Sequence, residues 1–189
     1  GIFKFVGALA AGTWASGGAL NTARGGLGSA GIQTAGLAFG GGDPDRAQTE
    51  EYNGSTWSEQ NDLNTARRTL AGFGLQTAAL ATGGTPSGAA TELYDGTSWT
   101  EVNDLNSARR YLAGSGIQTS GLATGGNSTP TALNESSWTE VNNLAIAHTS
   151  LAATGTNTLA LAFGSNGSPG NSATEEWTQA HAIKTIDLS

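Results

Sequence analysis

The chain has 189 residues, including 29 glycines and no cysteine, and it carries a formal net charge of −7. Its length allows one sizeable domain with its own core, and the absence of cysteine excludes disulfides and thiolate chemistry. Nucleic-acid affinity depends on clustered lysine and arginine, so the acidic charge argues against nucleic acid as a partner. No stretch has the apolar length of a membrane span, so membrane insertion is not expected.

A repeat of about 42 residues runs through the chain. Four tryptophans are separated by 43, 42 and 39 residues: Trp14, Trp57, Trp99 and Trp138. The same intervals separate four residues that follow them: Arg24, Arg67, Arg109 and His148. We interpret residues 1–189 as a single domain, with a partial unit at 1–24 and then units at 25–67, 68–109, 110–148 and 149–189.

The residue pattern within a unit predicts four short β-strands. Glycines crowd the first two, "LAGSGIQT" and "GLATGG", and each would cost a helix about 1 kcal/mol relative to alanine. The next pair, "TELYD" and "SWTEVN", flanks an Asp95-Gly96 turn and predicts a hairpin. The link "DLNTARRTLA" has apolar residues at helical spacing, but glycines in the first unit's version favour an extended connection.

Four antiparallel strands in chain order are typical of one blade of a β-propeller. Small side chains are then needed where neighbouring blades crowd the central axis. Four candidate innermost strands, around Leu27, Leu70, Leu112 and Leu151, predict an all-β propeller of four blades. In that arrangement the opening strand near Trp14 completes the final blade. The alternative is five blades, one of them assembled from the two ends of the chain.

Features of the unit also resemble a known repeat. The unit has a Gly-Gly doublet after its second strand, a tyrosine in its third and a tryptophan in its fourth, as in Gly83-Gly84, Tyr94 and Trp99, and an arginine in the link. These features resemble the kelch repeat. The Gly/Ala-rich version found here is similar to the kelch-like repeats of marine bacteriophage virion and tail-associated proteins.

The resemblance implies a propeller located in a virion or outside the cell. The likeness is incomplete in two places, since Asn134 stands where the tyrosine is expected and Gly164-Ser165 replaces the last doublet. Kelch-type propellers often bind other proteins, and some support oxidase chemistry.

The sequence shows no constellation suited to catalysis. Its only histidines are His148 and His181, too few for a zinc site and poorly suited to a hydrolytic triad. The stretch 41–51 holds Asp43 and Asp45, whose oxygens suit calcium, but it lacks the spacing of a calcium loop. We predict a protein that is not an enzyme and has no cofactor or metal, with an oxidase-type propeller as the remote alternative.

The loops between second and third strands differ from unit to unit, whereas the flanking strands barely change. In a ring these loops emerge on one face, where packing constrains them little. They predict a binding surface formed by Asp43, Asp45, Arg46, Thr85, Ser87, Asn127, Ser128, Asn166 and Ser168. Neutral drift of exposed loops is the other explanation.

The expected ligand is a cell-surface carbohydrate. The arginine doublets at 67–68 and 109–110 suit a sulfated or acidic glycan, although carboxylates such as Glu59 and Asp62 recur nearby and favour pairing inside the fold. Repeated weak sites in a homo-oligomer would gain affinity through avidity. The alternative is a purely structural propeller that docks another virion or cell-surface protein.

Overall fold

The computed structural model describes residues 14–126, 131–134, 137–145, 149–164 and 172–179, with the backbone alone at 131–134. Across these ranges the chain is all-β and contains no helix. It follows that no helix in them is long and apolar enough to cross a membrane.

The described strands form four antiparallel sheets, each built from consecutive strands of the chain. The first sheet contains β1 (Gly28–Ile32), β2 (Ala35–Phe39), β3 (Thr49–Tyr52) and β4 (Trp57–Gln60). The second contains β5 (Ala71–Leu75), β6 (Ala78–Thr82), β7 (Thr91–Tyr94) and β8 (Trp99–Val102). The third contains β9 (Leu112–Ile117), β10 (Ser120–Gly125), β11 (Thr131–Asn134) and β12 (Ser137–Glu140). The fourth contains β13 (Ala152–Gly155), β14 (Leu159–Phe163) and β15 (Thr174–Thr178).

The first three sheets confirm the four strands predicted for a unit. The predicted turn at Asp95 is also present, because its carboxylate accepts the backbone N–H groups of Thr97 and Ser98 at 2.8 Å each. Residues 61–70, which link the first sheet to the second, contain no helix, so the extended connection is confirmed.

The first strands of consecutive sheets pack side by side, β1 against β5, β5 against β9 and β9 against β13. Glycine permits this approach. A Cβ atom on Gly72 of β5 would meet the Phe39 ring and would lie 2.6 Å from the carbonyl oxygen of Ser29 in β1. Small residues in the inner strands are therefore a steric requirement, as the composition predicted.

Backbone hydrogen bonds join the four inner strands where each begins. Four equivalent residues have left-handed backbone, with φ of 63°, 56°, 59° and 54°: Gly26, Thr69, Tyr111 and Ser150. The N–H of Thr69 donates to the carbonyl of Gly26 at 2.6 Å, and that of Tyr111 donates to Thr69 at 2.9 Å. The N–H of Ser150 donates to Tyr111 at 2.8 Å. Each sheet is thus tied to the preceding one through the main chain.

All four inner strands line one cavity of about 290 Å³. The cavity is bordered by Ala30 of β1, Gly74 of β5, Ser115 of β9 and Thr154 of β13, among others. The four sheets therefore face a common space through their first strands.

Tryptophans fill the space between sheets farther from this cavity. Trp99 of β8 packs edge-on against Phe39 of the first sheet, with ring centroids 4.8 Å apart, and its indole N–H donates to Thr49 Oγ1 at 2.9 Å. Trp138 of β12 repeats the contact with the second sheet, donating to Thr91 Oγ1 at 3.1 Å. These two repeat tryptophans hold adjacent sheets together.

The register of the third sheet differs from the expected alignment. Tyr94 lies opposite Trp99 in the second sheet, but Leu133 lies opposite Trp138 in the third. Leu133, rather than Asn134, therefore occupies the position of the repeat tyrosine. The spacing agrees with this register, because Tyr94 and Leu133 each lie five residues before the repeat tryptophan.

We predict that Gly72→Ala lowers the free energy of unfolding by about 1–3 kcal/mol, because the added methyl group overpacks the contact between β1 and β5. Chemical denaturation followed by tryptophan fluorescence measures the change. Gly25→Ala is the control, since a Cβ atom there meets nothing within 4 Å. Equal effects of the two substitutions would contradict the steric role of Gly72.

Candidate binding face

Two loops and two links form a continuous surface, called here the loop face: loops 40–48 and 83–90 and links 61–70 and 103–111. The backbone N–H of Arg67 donates to the carbonyl of Arg46 at 3.0 Å, joining the first loop to the first link. Arg68 and Thr85 exchange two backbone hydrogen bonds of 3.0 and 2.9 Å, which join that link to the second loop. The N–H of Arg109 donates to Gly88 at 2.8 Å and completes the series.

Buried arginines anchor the links beneath this face. Arg24 pairs with Glu50 of β3, and Arg67 pairs with Glu92 of β7 at 3.1 Å, with all four side chains fully buried. The same carboxylates accept backbone N–H groups from the preceding link, from Asn21 and Asn64 respectively. Because these side chains are buried and form ion pairs inside the protein, Arg24 and Arg67 are structural residues and are not available to a ligand.

The titration behaviour of these groups follows their surroundings. Burial raises the pKa of Glu50, but the N–H of Asn21 and the guanidinium of Arg24 outweigh it, so the pKa lies below its ordinary value. Burial lowers the pKa of Arg67, although the Glu92 carboxylate opposes this. Glu50 is therefore held as a carboxylate in the folded protein.

Arg109 occupies the same position in the next link without the same partner. Register places Glu92 opposite Ala81 in the second sheet, but Thr131 opposite Ala123 in the third. Within the described residues Arg109 forms no ion pair, and its Nη2 atom has no hydrogen-bond partner. Burial lowers its pKa, with Glu140 acting against it. Among the described residues, no carboxylate therefore stands beside Arg109 at the position that Glu92 has beside Arg67.

The predicted acidic residues of the first loop form ion pairs with an arginine of the same chain. Asp43 and Asp45 lie 3.0 and 3.3 Å from Nη1 of Arg68 in the following link. Arg46 is half-buried, and its side chain lies against Gly42. Arg68 therefore pairs within the fold, although with loop aspartates instead of the carboxylates expected from the sequence. Throughout the described ranges no group of three acidic, histidine or cysteine residues could hold a metal ion.

The second loop has a different chemistry at the same positions. Thr85 and Ser87 replace Asp43 and Asp45, while Arg110 keeps the position of Arg68. Arg110 is exposed, and its guanidinium lies 5.7 Å from the centroid of the Tyr111 ring. Among the side chains that the structure describes, none forms an ion pair with Arg110.

A groove of about 230 Å³ opens at this point of the loop face. It is lined by Thr85, Pro86, Gly88 and Ala108 together with Arg110. The groove, which we call the Arg110 groove, combines the hydroxyl of Thr85 with the guanidinium of Arg110, which has no ion-pair partner among the described residues. Such a surface suits an anionic, hydroxyl-rich ligand.

The remaining predicted binding residues are Asn127, Ser128, Asn166 and Ser168, which lie outside the described residues, as do His148 and His181. Trp14 is described and fully exposed. The sequence pointed to Arg110 only as part of an arginine doublet equivalent to 67–68. The difference between the two doublets was available, because Arg110 follows a loop in which Thr85 and Ser87 replace both aspartates.

No known protein-family model matches the chain. A comparison with curated proteins likewise finds no relative. The resemblance to kelch repeats therefore depends on the residues that carry it.

We predict that the protein loses stability as the pH falls below about 4.5. Glu50 has a lower pKa folded than its ordinary value of 4.5, so its contribution is complete above that pH and is lost as the pH falls through the folded pKa. Thermal unfolding between pH 3 and 7 measures the effect, and Glu50→Gln should flatten the profile. Glu59→Gln, at an exposed position of β4, should keep the wild-type profile.

We also predict that Thr131→Glu stabilises the protein by about 1.5–3 kcal/mol, the range of a hydrogen bond to a charged group. The substitution places a carboxylate where Glu50 and Glu92 stand in the earlier sheets, opposite the unpaired Arg109. The midpoint of urea unfolding measures the gain. Thr131→Gln is the matched control, and an equal gain from it would show that charge is not involved.

Proposed function

We propose that the four sheets form a closed four-bladed propeller of the kelch-like type. Two observations support the ring. The inner strands of all four sheets line one cavity, and the backbone bonds that start at Gly26 end at Ser150. Those two residues are the ends of the series, and a hydrogen bond between them would complete it around the axis.

We further propose that this propeller is a non-catalytic structural and adhesion module of a virion or another extracellular assembly, binding a cell-surface carbohydrate through the loop face. The observation that carries this proposal is the unpaired, exposed Arg110 beside the hydroxyl-bearing loop 83–90. The equivalent Arg68 pairs with two aspartates. On the same face, one unit therefore presents a paired arginine and the next unit presents an arginine without a described ion-pair partner.

The Arg110 groove favours a sugar that carries sulfate or carboxylate. A guanidinium pairs with such groups through two parallel hydrogen bonds, while the hydroxyl of Thr85 can bond to a sugar hydroxyl. Tyr111 lies beside Arg110 and restricts where the guanidinium can point. One groove of this size contacts only one or two sugar rings, so useful affinity requires several copies bound at once.

A glycan array tests the proposal with the purified chain, applied both as a monomer and as a multivalent complex. We expect the multivalent form to bind sulfated or acidic glycans over neutral ones. Arg110→Gln should weaken this binding by about tenfold or more, the loss expected for one charge-assisted contact. Arg68→Gln is the matched control and should leave binding unchanged.

A second variant tests the loop itself. Thr85→Asp with Ser87→Asp recreates the aspartate pair of the first loop, so Arg110 becomes neutralised as Arg68 is. Binding should then fall to the level of Arg110→Gln. Absence of binding to every glycan by either form of the wild-type chain would refute carbohydrate adhesion, and capture of a virion or cell-surface protein instead would establish the protein-docking alternative.

A further inference from the structure

A second cavity, of about 320 Å³, lies between the third and fourth sheets. Its walls include Leu122 and Thr124 of β10, Leu144 of the following link, Ala160 of β14 and Trp177 of β15. Between the first and second sheets, and again between the second and third, the corresponding space is filled by a tryptophan.

The walls of this cavity match the surroundings of Trp99. Seven residues share a core cluster with Trp99, and six of them have counterparts in the cavity wall: Leu37, Phe39, Leu63, Ala79, Ala81 and Tyr94. Their counterparts line the cavity in the same order: Leu122, Thr124, Leu144, Ala160, Ala162 and Trp177. The register supports the correspondence, because Ala79 lies opposite Tyr94 and Ala160 lies opposite Trp177. The cavity is therefore a tryptophan site without its tryptophan.

Leu144, in the link after the third sheet, is more exposed than the equivalent leucines of the other links. Leu63 and Leu105 are both 4% exposed in the first two links. Their counterpart Leu144 is only half-buried. The difference is expected if an indole ring covers the first two leucines but not the third.

A buried hydroxyl in the cavity wall also lacks a partner. Thr124 is 2% exposed, and its Oγ1 has no hydrogen bond within the described part of the chain. Its counterpart Thr82 shares a 2.8 Å hydrogen bond with Thr91, which in turn accepts the indole N–H of Trp138. An unpaired buried hydroxyl is costly, and an indole N–H in the cavity would satisfy it.

Trp14 is the tryptophan that the repeat assigns to this cavity. In the first three sheets the fourth strand carries the repeat tryptophan, and among described strands the fourth sheet has only three. Trp14 precedes Trp57 by the repeat interval of 43 residues. It is fully exposed, unlike Trp99 and Trp138, which are each 5% exposed.

The residues after Trp14 make the same hydrogen bonds as the link 61–70. The N–H of Asn21 donates to Glu50 at 2.7 Å, as that of Asn64 donates to Glu92 at 2.7 Å. The side-chain amide of Asn21 donates to the carbonyl of Trp57, as that of Asn64 donates to Trp99. Since links follow a fourth strand, residues 14–17 stand where the fourth strand of a preceding sheet is required.

We propose that residues 14–17 pair with β15 of the same molecule as its fourth strand, and that Trp14 fills the cavity and donates its indole N–H to Thr124 Oγ1. The register of the other sheets places Trp14 opposite Trp177 and Ala15 opposite Glu176. The inference rests on the proposed ring but not on carbohydrate binding. An intramolecular partner is favoured because the first and fourth sheets line the same central cavity.

Closure would also cover exposed apolar surface. Leu161 and Phe163 of β14 are 37% and 40% exposed. Their counterparts Leu37 and Phe39, which a tryptophan and the next sheet cover, are 1% and 0% exposed. Bringing the first sheet and Trp57 against β14 would bury both side chains, and this apolar burial favours the closed ring.

Disulfide trapping tests the pairing directly, since the chain has no cysteine of its own. The variant Ala15→Cys with Glu176→Cys places two thiols opposite each other if the register is right. We expect a cross-link within one molecule after mild oxidation of dilute protein, seen as a faster-migrating monomer on non-reducing gels and confirmed by mass spectrometry. Ala15→Cys with Thr100→Cys, on the outer strand of the second sheet, is the matched control and should not cross-link.

The other outcomes overturn the proposal. Cross-linked dimers would show that a second copy supplies the strand, and the absence of any cross-link would show that residues 14–17 do not pair with β15. Glycan binding is read separately, so failure of the closure and failure of the adhesion function are distinguishable.

A double-mutant cycle tests the indole contact. Trp14→Phe and Thr124→Val should each lower the midpoint of thermal unfolding, and the double variant should lose less than the sum, because the two groups act as one hydrogen bond. Trp14→Ala should lower the midpoint by about 6–12 °C, as expected for emptying a tryptophan site. Strictly additive losses, or no loss for Trp14→Ala, would place Trp14 outside the cavity.

Discussion

The fold depends on how closely its inner strands approach one another. Backbone from β1 reaches within 2.6 Å of where a side chain on Gly72 would begin, so this contact is possible only for glycine. The tryptophans pack between the sheets, where Trp99 and Trp138 contact the preceding sheet. The many small residues of the inner strands are thus required by sheets whose first strands pack closely side by side.

The strands and hairpins were predictable because their signals are local. Glycine density, the Asp95-Gly96 turn and the spacing of the tryptophans act within a few residues, and each appears in the structure as expected. The register of the third sheet was also predictable from spacing. Tyr52 and Tyr94 lie five residues before their tryptophans, and Leu133 lies five residues before Trp138. The structure accordingly places Leu133, and not Asn134, opposite Trp138.

The candidate site was predictable only in outline. Loops 40–48 and 83–90 vary in sequence as expected, but most of their side chains are half-buried. The partner of each charge depends on distances between loops and links of different strands. Asp43 and Asp45 pair with Arg68 about twenty-five residues away, whereas the sequence suggested carboxylates nearer in the repeat. The replacement of Glu92 by Thr131 beside Arg109 could have been found from spacing, because each lies seven residues before a repeat tryptophan.

The left-handed residues at the start of the inner strands have a consequence for how such a chain can diversify. Gly26, Thr69, Tyr111 and Ser150 differ completely in side chain yet make the same amide-to-carbonyl contact. Only the main chain mediates the contact, so four different side chains are compatible with one geometry of connection. The connection itself requires a left-handed backbone, which glycine adopts more readily than the other three residues.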